Sequence, residues 1–321
     1  MWYKAFLLGI LMMSLKPAKL LKPKEVYQVL YINSYHAGYG SSDSVMAGIR
    51  QTLAASDNVA LNVCFMDTKR HPDLATAKAQ AIKQQIDYLK PDLVIASDDD
   101  AVREVVVPYL KNSSIPVVFC GVNWSAKAYG LPVANVTGML EVVPIRETLE
   151  TMKRCYPQAR KLVILSENSP AEQKNTQVLD TLYRALGFSP EYALVDDFNA
   201  WKQAFRDVNQ TADLIYLSTN GSIRGWQNEE VRAFVAQTIR RPVITCDDFM
   251  MPYAVYGQTK VAREQGEWAA RTALKILQGA KPASFPLTRN LQSVCWFNPT
   301  LAERIQFKPD TKQLQSCRKL L

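Results

Sequence analysis

Polar residues with binding chemistry gather just after the apolar runs of this chain. The first run is followed by Asn33-Ser34-Tyr35-His36, the second by Asp67-Thr68, the third by Ser97-Asp98-Asp99-Asp100 and the fourth by Gly121-Val122-Asn123-Trp124. Later runs are followed by Ser166-Glu167-Asn168, Asp196-Asp197, Ser218-Thr219-Asn220-Gly221 and Asp247-Asp248. Hydroxyls, amides and carboxylates dominate, with Tyr35, Tyr39 and Trp124 beside them. Such a set suits a zwitterionic small molecule. Asp98, Asp99, Asp247 or Asp248 can hold an amine, free N–H groups at helix starts can hold a carboxylate, and the aromatic rings can cover an apolar moiety. Local duties compete with this reading: Ser42 or Asp43 for capping a helix over 44–55, and Asp99 or Asp100 for capping one over 101–110.

Several catalytic chemistries lack their residues. Gly38-Tyr39-Gly40 hints at a dinucleotide turn, but position 43 is Asp and the glycines fall several residues after the run. No GxxxxGK[ST] and no GxSxG occurs, so neither a P-loop nor a nucleophile elbow is offered. Only two histidines exist, His36 and His71, which removes histidine-based metal clusters; His36 is a candidate ligand contact and His71-Pro72 reads as an exposed turn. The run Asp98-Asp99-Asp100 lacks the spacing and closing Glu of an EF-hand. The residues therefore imply no catalytic group, no metal and no cofactor.

The elements that must position these clusters follow from the apolar pattern. The chain has 321 residues, 48% apolar and 21% charged, which is globular and long enough for two lobes. Short apolar runs at 26–32, 59–66, 92–96, 116–120, 161–165, 191–195, 213–217, 242–246 and 291–297 read as strands. Helical patterns separate them at 42–55, 74–90, 100–110, 144–155, 170–186, 198–209, 226–239 and 260–279. Continuous apolar strands alternating with helices predict parallel sheet covered on both faces. The order also repeats: 28–36 (QVLYINSYH) resembles 161–169 (KLVILSENS), 91–100 (PDLVIASDDD) resembles 212–221 (ADLIYLSTNG), and 114–124 (SIPVVFCGVNW) resembles 240–250 (RRPVITCDDFM). The expected fold class is α/β: two doubly wound, Rossmann-like parallel-sheet lobes joined by a multi-strand hinge. Lobe 1 is expected over 25–135 plus about 250–290, and lobe 2 over 136–249 plus about 291–321. In such sheets ligands bind beyond the carboxyl ends of the strands, where the polar clusters fall.

The formal charge of +8 drops to +3 once the five lysines of residues 1–24 are set aside, which argues against a nucleic-acid partner. Those residues read as an export signal: Lys4 precedes an apolar run of 11 residues, AFLLGILMMSL, too short to span a membrane. Its cleavage motif is weak, Pro17-Ala18 being only a fair site, so an uncleaved start would tether the chain to the membrane. No lipobox cysteine follows the run. The six cysteines form no CxxC; Cys64, Cys120, Cys246 and Cys295 lie in or beside apolar runs and read as buried thiols.

Taken together, VLYINSYHAGYGSSDSVMAGIR (29–50), DLVIASDDDA, PVVFCGVNW, VTGMLE (136–141) and EQGEWAARTALKILQGAKP resemble the ABC-transporter substrate-binding protein family with the type I periplasmic-binding fold. The resemblance covers about 26–307 and implies an extracytoplasmic, monomeric protein whose lobes close over a small molecule, such as an aromatic amino acid. It implies a ligand site built from Ser34, Tyr35, His36, Tyr39, Ser97, Asp98, Asp99, Gly121, Asn123, Trp124, Glu141, Ser166, Asn168, Thr219, Asn220 and Asp247, and an ABC permease as partner. Two other functions fit the same scaffold. One is a sensing module reporting to a separate histidine kinase or cyclase. The other is an enzyme using an acid–base pair such as Glu167 with His36.

Overall fold

Alternation within each buried strand shows why the apolar runs are continuous. In the computed structural model, which describes residues 26–307 and 317–320, Val29 and Tyr31 enter the core on one face of a sheet while Leu30 and Ile32 enter the core on the other. A strand covered by helices on both sides has no solvent face to spend polar residues on. The export segment read in residues 1–24 lies outside the described residues.

The strands are β1 (Tyr27–Asn33), β2 (Val59–Phe65), β3 (Leu93–Ser97), β4 (Val117–Asn123), β5 (Val136–Glu141), β6 (Lys161–Glu167), β7 (Ser189–Val195), β8 (Leu214–Leu217), β9 (Val243–Thr245), β10 (Tyr256–Lys260), β11 (Thr288–Arg289), β12 (Ser293–Phe297) and β13 (Arg318–Lys319). The helices are α1 (Gly40–Leu53), α2 (Ala75–Leu89), α3 (Asp98–Ala101, continuing as a wider-turned stretch Val102–Leu110), α4 (Ile145–Cys155), α5 (Pro170–Ala185), α6 (Phe198–Thr211), α7 (Asn228–Thr238), α8 (Ala262–Leu277) and α9 (Pro299–Arg304). Six strands form one parallel sheet in the order β11-β5-β4-β3-β1-β2. Seven form the other, β13-β12-β10-β9-β8-β6-β7, parallel except for the β10–β12 pair. The two doubly wound lobes expected from the repeat are both present.

The pairing draws the lobe boundaries differently from the expectation. β5, expected to open lobe 2, is hydrogen-bonded to β4 in the first sheet, and residues 250–260, expected in lobe 1, end in β10 of the second. The chain therefore passes between lobes three times: after Glu141, after Lys260, and between β11 and β12. Side chains tie these passages together. Asn290 accepts from the Val142 N–H at 2.7 Å and donates back to the Val142 carbonyl at 3.1 Å. The Glu264 carboxylate accepts from the Leu291 and Gln292 N–H groups.

α8 returns from the hinge to lobe 1 and lies against α1. Glycines permit the approach: a Cβ on Gly266 would sit 2.0 Å from the Val45 carbonyl oxygen, and one on Gly48 would sit 2.5 Å from that of Arg263. Lobe 2 is filled instead by rings, with Trp201 stacked on Phe205 at 5.0 Å and crossed by Trp226. Cys64, Cys120 and Cys246 are buried thiols, but Cys295 is not: it is disulfide-bonded to Cys317, fastening β13 beside β12. Burial at the end of an apolar run could not reveal a partner 22 residues away. No helix of the described residues is long and apolar enough to cross a membrane.

Because the Gly266 contact is with backbone, which cannot swing aside, Gly266→Ala is expected to destabilise the protein by about 1–3 kcal/mol, read by denaturant unfolding. Gly279→Ala, where nothing lies within 4 Å of the added methyl but φ is positive, gives the comparison for conformational strain alone.

Candidate functional site

The carboxyl ends of the two sheets meet. Contacts between them come from the residues that end or follow strands. Lys69, after β2, pairs with Glu167 at the end of β6. Lys174 of α5 reaches Asp99 at 2.6 Å, and Trp124 donates through Nε1 to Asn175 at 3.1 Å. The Tyr39 ring meets Phe249 with centroids 5.5 Å apart. At the hinge, Lys260 is bound by Glu141 at 2.5 Å and by Asp247 at 3.0 Å.

Between the rims lies a cavity of about 30 Å3, walled by Tyr35, Tyr39, Asp98, Asn123, Glu141, Thr219, Asp247 and others. That is room for about two water molecules, so the lobes are closed and a larger guest needs them to part. A second, open groove of about 900 Å3 runs along the mouth past His36, Arg70, Asn168, Asn220, Trp226 and Tyr253. Tyr39 and Lys69 border both spaces and form the partition between them. Gly221 closes it from lobe 2: an added Cβ would meet Lys69 Cδ at 2.5 Å and Tyr39 Cε2 at 2.6 Å.

Backbone in the left-handed region also occurs at this rim. Asp67, Asp98 and Trp124 take positive φ values of 57°, 70° and 60° without being glycine, each just beyond a strand of lobe 1. Gly121, at φ 76°, has the Asp98 carboxylate only 2.9 Å from its Cβ position. Such conformations cost about 1–3 kcal/mol each and persist where surrounding packing over-determines them.

Of the residues expected to line a site, Tyr35, Tyr39, Asp98, Asn123, Glu141, Thr219 and Asp247 share the inner cavity. His36, Asn168 and Asn220 border the outer groove instead. Asp99 and Trp124 hold lobe 2 from the rim. Ser34, Ser97, Gly121 and Ser166 are scaffolding. Ser34 Oγ donates to the Ser97 carbonyl and accepts from the Ala101 N–H, Ser97 Oγ bonds Tyr31, the Gly121 N–H donates to Gln265, and Ser166 Oγ donates to Glu172. The capping expectations also change. α1 starts at Gly40 with no side-chain cap, because Ser42 donates to Asn33 and Asp43 instead accepts from the Gly38 N–H. Asp99 accepts from Asn123 and Tyr129, and Asp100 from Thr68. An acid–base pair of Glu167 with His36 is not assembled: Glu167 is held by Lys69, Ser169 and the Ser222 N–H, and His36 faces Asp67 at 3.4 Å.

The residues missed from sequence are Lys69, Lys260, Glu172 and Asn175. Lys69 stands in a polar stretch that reads as loop, and Lys260 at the start of the helical pattern 260–279 although it ends β10, so neither carries a pattern that marks it as buried. Both are nearly inaccessible. Burial alone would lower their pKa values, but facing carboxylates outweigh it and raise both. Burial would likewise raise Glu167, and Lys69 holds it below the ordinary value. Asp98 and Glu172 form no ion pair with a lysine or arginine among the described residues, and the more distant Lys69 and Lys260 do not offset their burial. Burial, then the negative neighbours Glu141 and Glu167 respectively, push both carboxyls up. His36 is lowered by burial and by Arg70.

A family model described as ABC transporter substrate binding protein matches residues 38–316. No curated protein matches. Among solved structures, the ABC domain from Streptococcus pneumonia in complex with L-Trp is similar at a TM-score of 0.73 and 16% identity, covering 92% of this chain and 100% of that one. A conserved domain protein from Vibrio cholerae O1 biovar eltor is similar at 0.74 and 18%, covering 92% and 99%. A periplasmic ribose ABC transporter protein from Conexibacter woesei is similar at 0.59 and 13%, covering 91% and 98%. These likenesses establish the two-lobed type I periplasmic-binding fold.

The Lys69–Glu167 pair joins the lobes only when they are closed, so its loss acts on closure. Lys69→Met strands a buried carboxylate, a change of about 3–5 kcal/mol against the closed form. The radius of gyration from solution scattering should rise, and adding Glu167→Leu should reverse part of the rise. An unchanged radius in Lys69→Met would show that the pair does not govern closure. Since the Glu167 pKa is depressed in the closed form, its contribution is complete above the ordinary carboxylate value of about 4.3 and is lost as pH falls through the lowered one. Scattering at mildly acidic pH should therefore be at least as compact as at neutral pH, since Asp98 and Glu172, raised in the closed form, favour closure as pH falls, and opening should set in only below about pH 4.

Proposed function

As the chain belongs to the ABC transporter substrate-binding protein family, we propose that it captures a small polar molecule bearing an amine, amino acids included, and delivers it to an ABC permease. The observation that supports this most is the inner cavity, to which the strand ends of both lobes contribute. A guest held there touches Tyr35, Tyr39, Asp98, Asn123, Glu141, Thr219 and Asp247, and neither lobe alone offers the full set. Three chain passages laced by Asn290 and Glu264 form the hinge on which the lobes part and close. His36, Asn168 and Asn220 line the route in, and Asp99 and Trp124 secure the closed form. Ser34, Ser97, Gly121 and Ser166 hold the strand ends in register behind the contacting residues.

Closure gives the permease its signal. The closed surface exists only while both rims are engaged, so a partner that reads it distinguishes loaded from unloaded protein. The same reading gives residues 1–24 the role of an export signal and the protein an extracytoplasmic place, working as a monomer. The complex of a similar protein with L-Trp makes amino acids the first class to screen, while the sugar-transport relative shows how little the shared fold says about the guest.

The test is recovery and binding. Mass spectrometry of gently isolated protein should find a small molecule, chemically unaltered after prolonged incubation with the protein. Re-adding it at about a hundred times its dissociation constant should stabilise the protein by about 2.7 kcal/mol, seen as a raised melting temperature. Conversion of the recovered molecule would defeat the proposal.

A further inference from the structure

The charges around the inner cavity narrow the guest further, on the reading above that this cavity is the capture site. Lys69 and Lys260 are its two ammonium groups. Asp98, Glu141, Glu172 and Asp247 are in its wall, and Glu167 stands behind Lys69. Both lysines are already engaged, Lys69 by Glu167 and Lys260 by Glu141 and Asp247. Glu172 is held by the neutral donors Ser166 at 2.8 Å and Asn175 at 2.7 Å, and among the described residues no lysine or arginine comes within ion-pair distance of it or of Asp98, although Lys69 acts on both and Lys260 on Asp98 from farther away.

We propose that the guest is an organic cation, carrying one or more ammonium groups and no carboxylate. With every group ionised, five carboxylates face two ammoniums around a space with room for about two water molecules, and the missing charge is positive. A zwitterion adds no net charge, and its carboxylate would have to displace Glu167, Glu141 or Asp247 from a lysine or stand against Asp98 and Glu172. An ammonium group meets none of these obstacles and has only to keep clear of Lys69 and Lys260, whose charges their own carboxylates offset. It completes the charge balance of Asp98 and Glu172, which burial otherwise drives toward their neutral forms.

Two further features of the wall point the same way. Lys69 Nζ lies 4.7 Å from the centroid of the Tyr35 ring and 5.2 Å from that of Tyr39, so these faces already hold an ammonium by their ring electrons. Thr219 Oγ1 is buried at the wall with no hydrogen-bond partner among the described residues, and its lone pairs can accept an N–H. The lysine thus stands where a second ammonium of similar kind would be recognised, between tyrosine faces and carboxylates of both lobes.

Calorimetry with four probes tests this. Phenethylamine and 1,4-diaminobutane carry only amines, phenylalanine carries both charges, and 3-phenylpropionate only the acid. At least one amine should bind about tenfold or more tightly than phenylalanine, and the acid should not bind. Asp98→Asn with Glu172→Gln should weaken the amine about tenfold or more without lowering the melting temperature of the ligand-free protein. Equal or tighter binding of phenylalanine or 3-phenylpropionate overturns the inference, as does an unchanged amine affinity in the double variant. An acidic, zwitterionic or neutral molecule recovered from the purified protein overturns the cation but leaves capture standing. If no probe binds and no molecule of any charge is recovered, both fail.

Discussion

Closure of this molecule depends on burying ions in pairs. Removing a single charge from water costs several kcal/mol, and the cost is met only where an opposite charge and good hydrogen bonds wait. Lys260 shows the constraint at its tightest. It is the last residue of β10, at a passage between lobes, and it is bound by the last residue of β5 and the residue group after β9. Three chain segments from two sheets thus converge on one ammonium. Lys69 and Glu167 apply the same condition farther out, with one member on each lobe. At Lys69 with Glu167 and at Asp99 with Lys174, opposite charges meet across the gap.

The hinge and the closing surfaces are made from different materials. The passages between lobes are joined by amide and carboxylate side chains bonded to backbone, Asn290 to Val142 and Glu264 to residues 291 and 292. Such bonds hold three strands together while leaving each free to bend. The lobes themselves are stiff, one by glycine-mediated contact of α1 with α8 and the other by stacked rings around Trp201. The contacts inside each lobe thus differ in kind from the side-chain-to-backbone bonds at the passages between them.

The duplicated plan also explains an asymmetry. Matching strands end in different chemistry: β3 leads into Asp98-Asp99-Asp100, while its counterpart β8 leads into Ser218-Thr219-Asn220-Gly221. Lobe 1 brings strained backbone and aromatic faces, and lobe 2 brings the small residue Gly221 that lets Tyr39 and Lys69 seat against it. A symmetrical pair of rims would have put like charges opposite one another.

The fold class, most strand and helix positions and the location of a polar rim were legible in the residues, because each follows from local pattern. A strand buried on both faces must be apolar throughout, and residues just past it must be polar to meet helix starts and solvent. Strand β10, YGQTK, escaped because its burial is polar: Thr259 and Lys260 are sheltered by partners far along the chain, and Gly257 packs against Met251. Which rim residues are scaffold and which face the cavity was also beyond pattern. Ser34 and Asp98 look alike as residues after a strand, yet one is turned into the frame and the other toward the gap. The lobe boundary, the Cys295–Cys317 bond and the two buried lysines were decided by tertiary structure alone, since each rests on a partner distant in sequence and a charge or thiol carries no local sign of what it will meet.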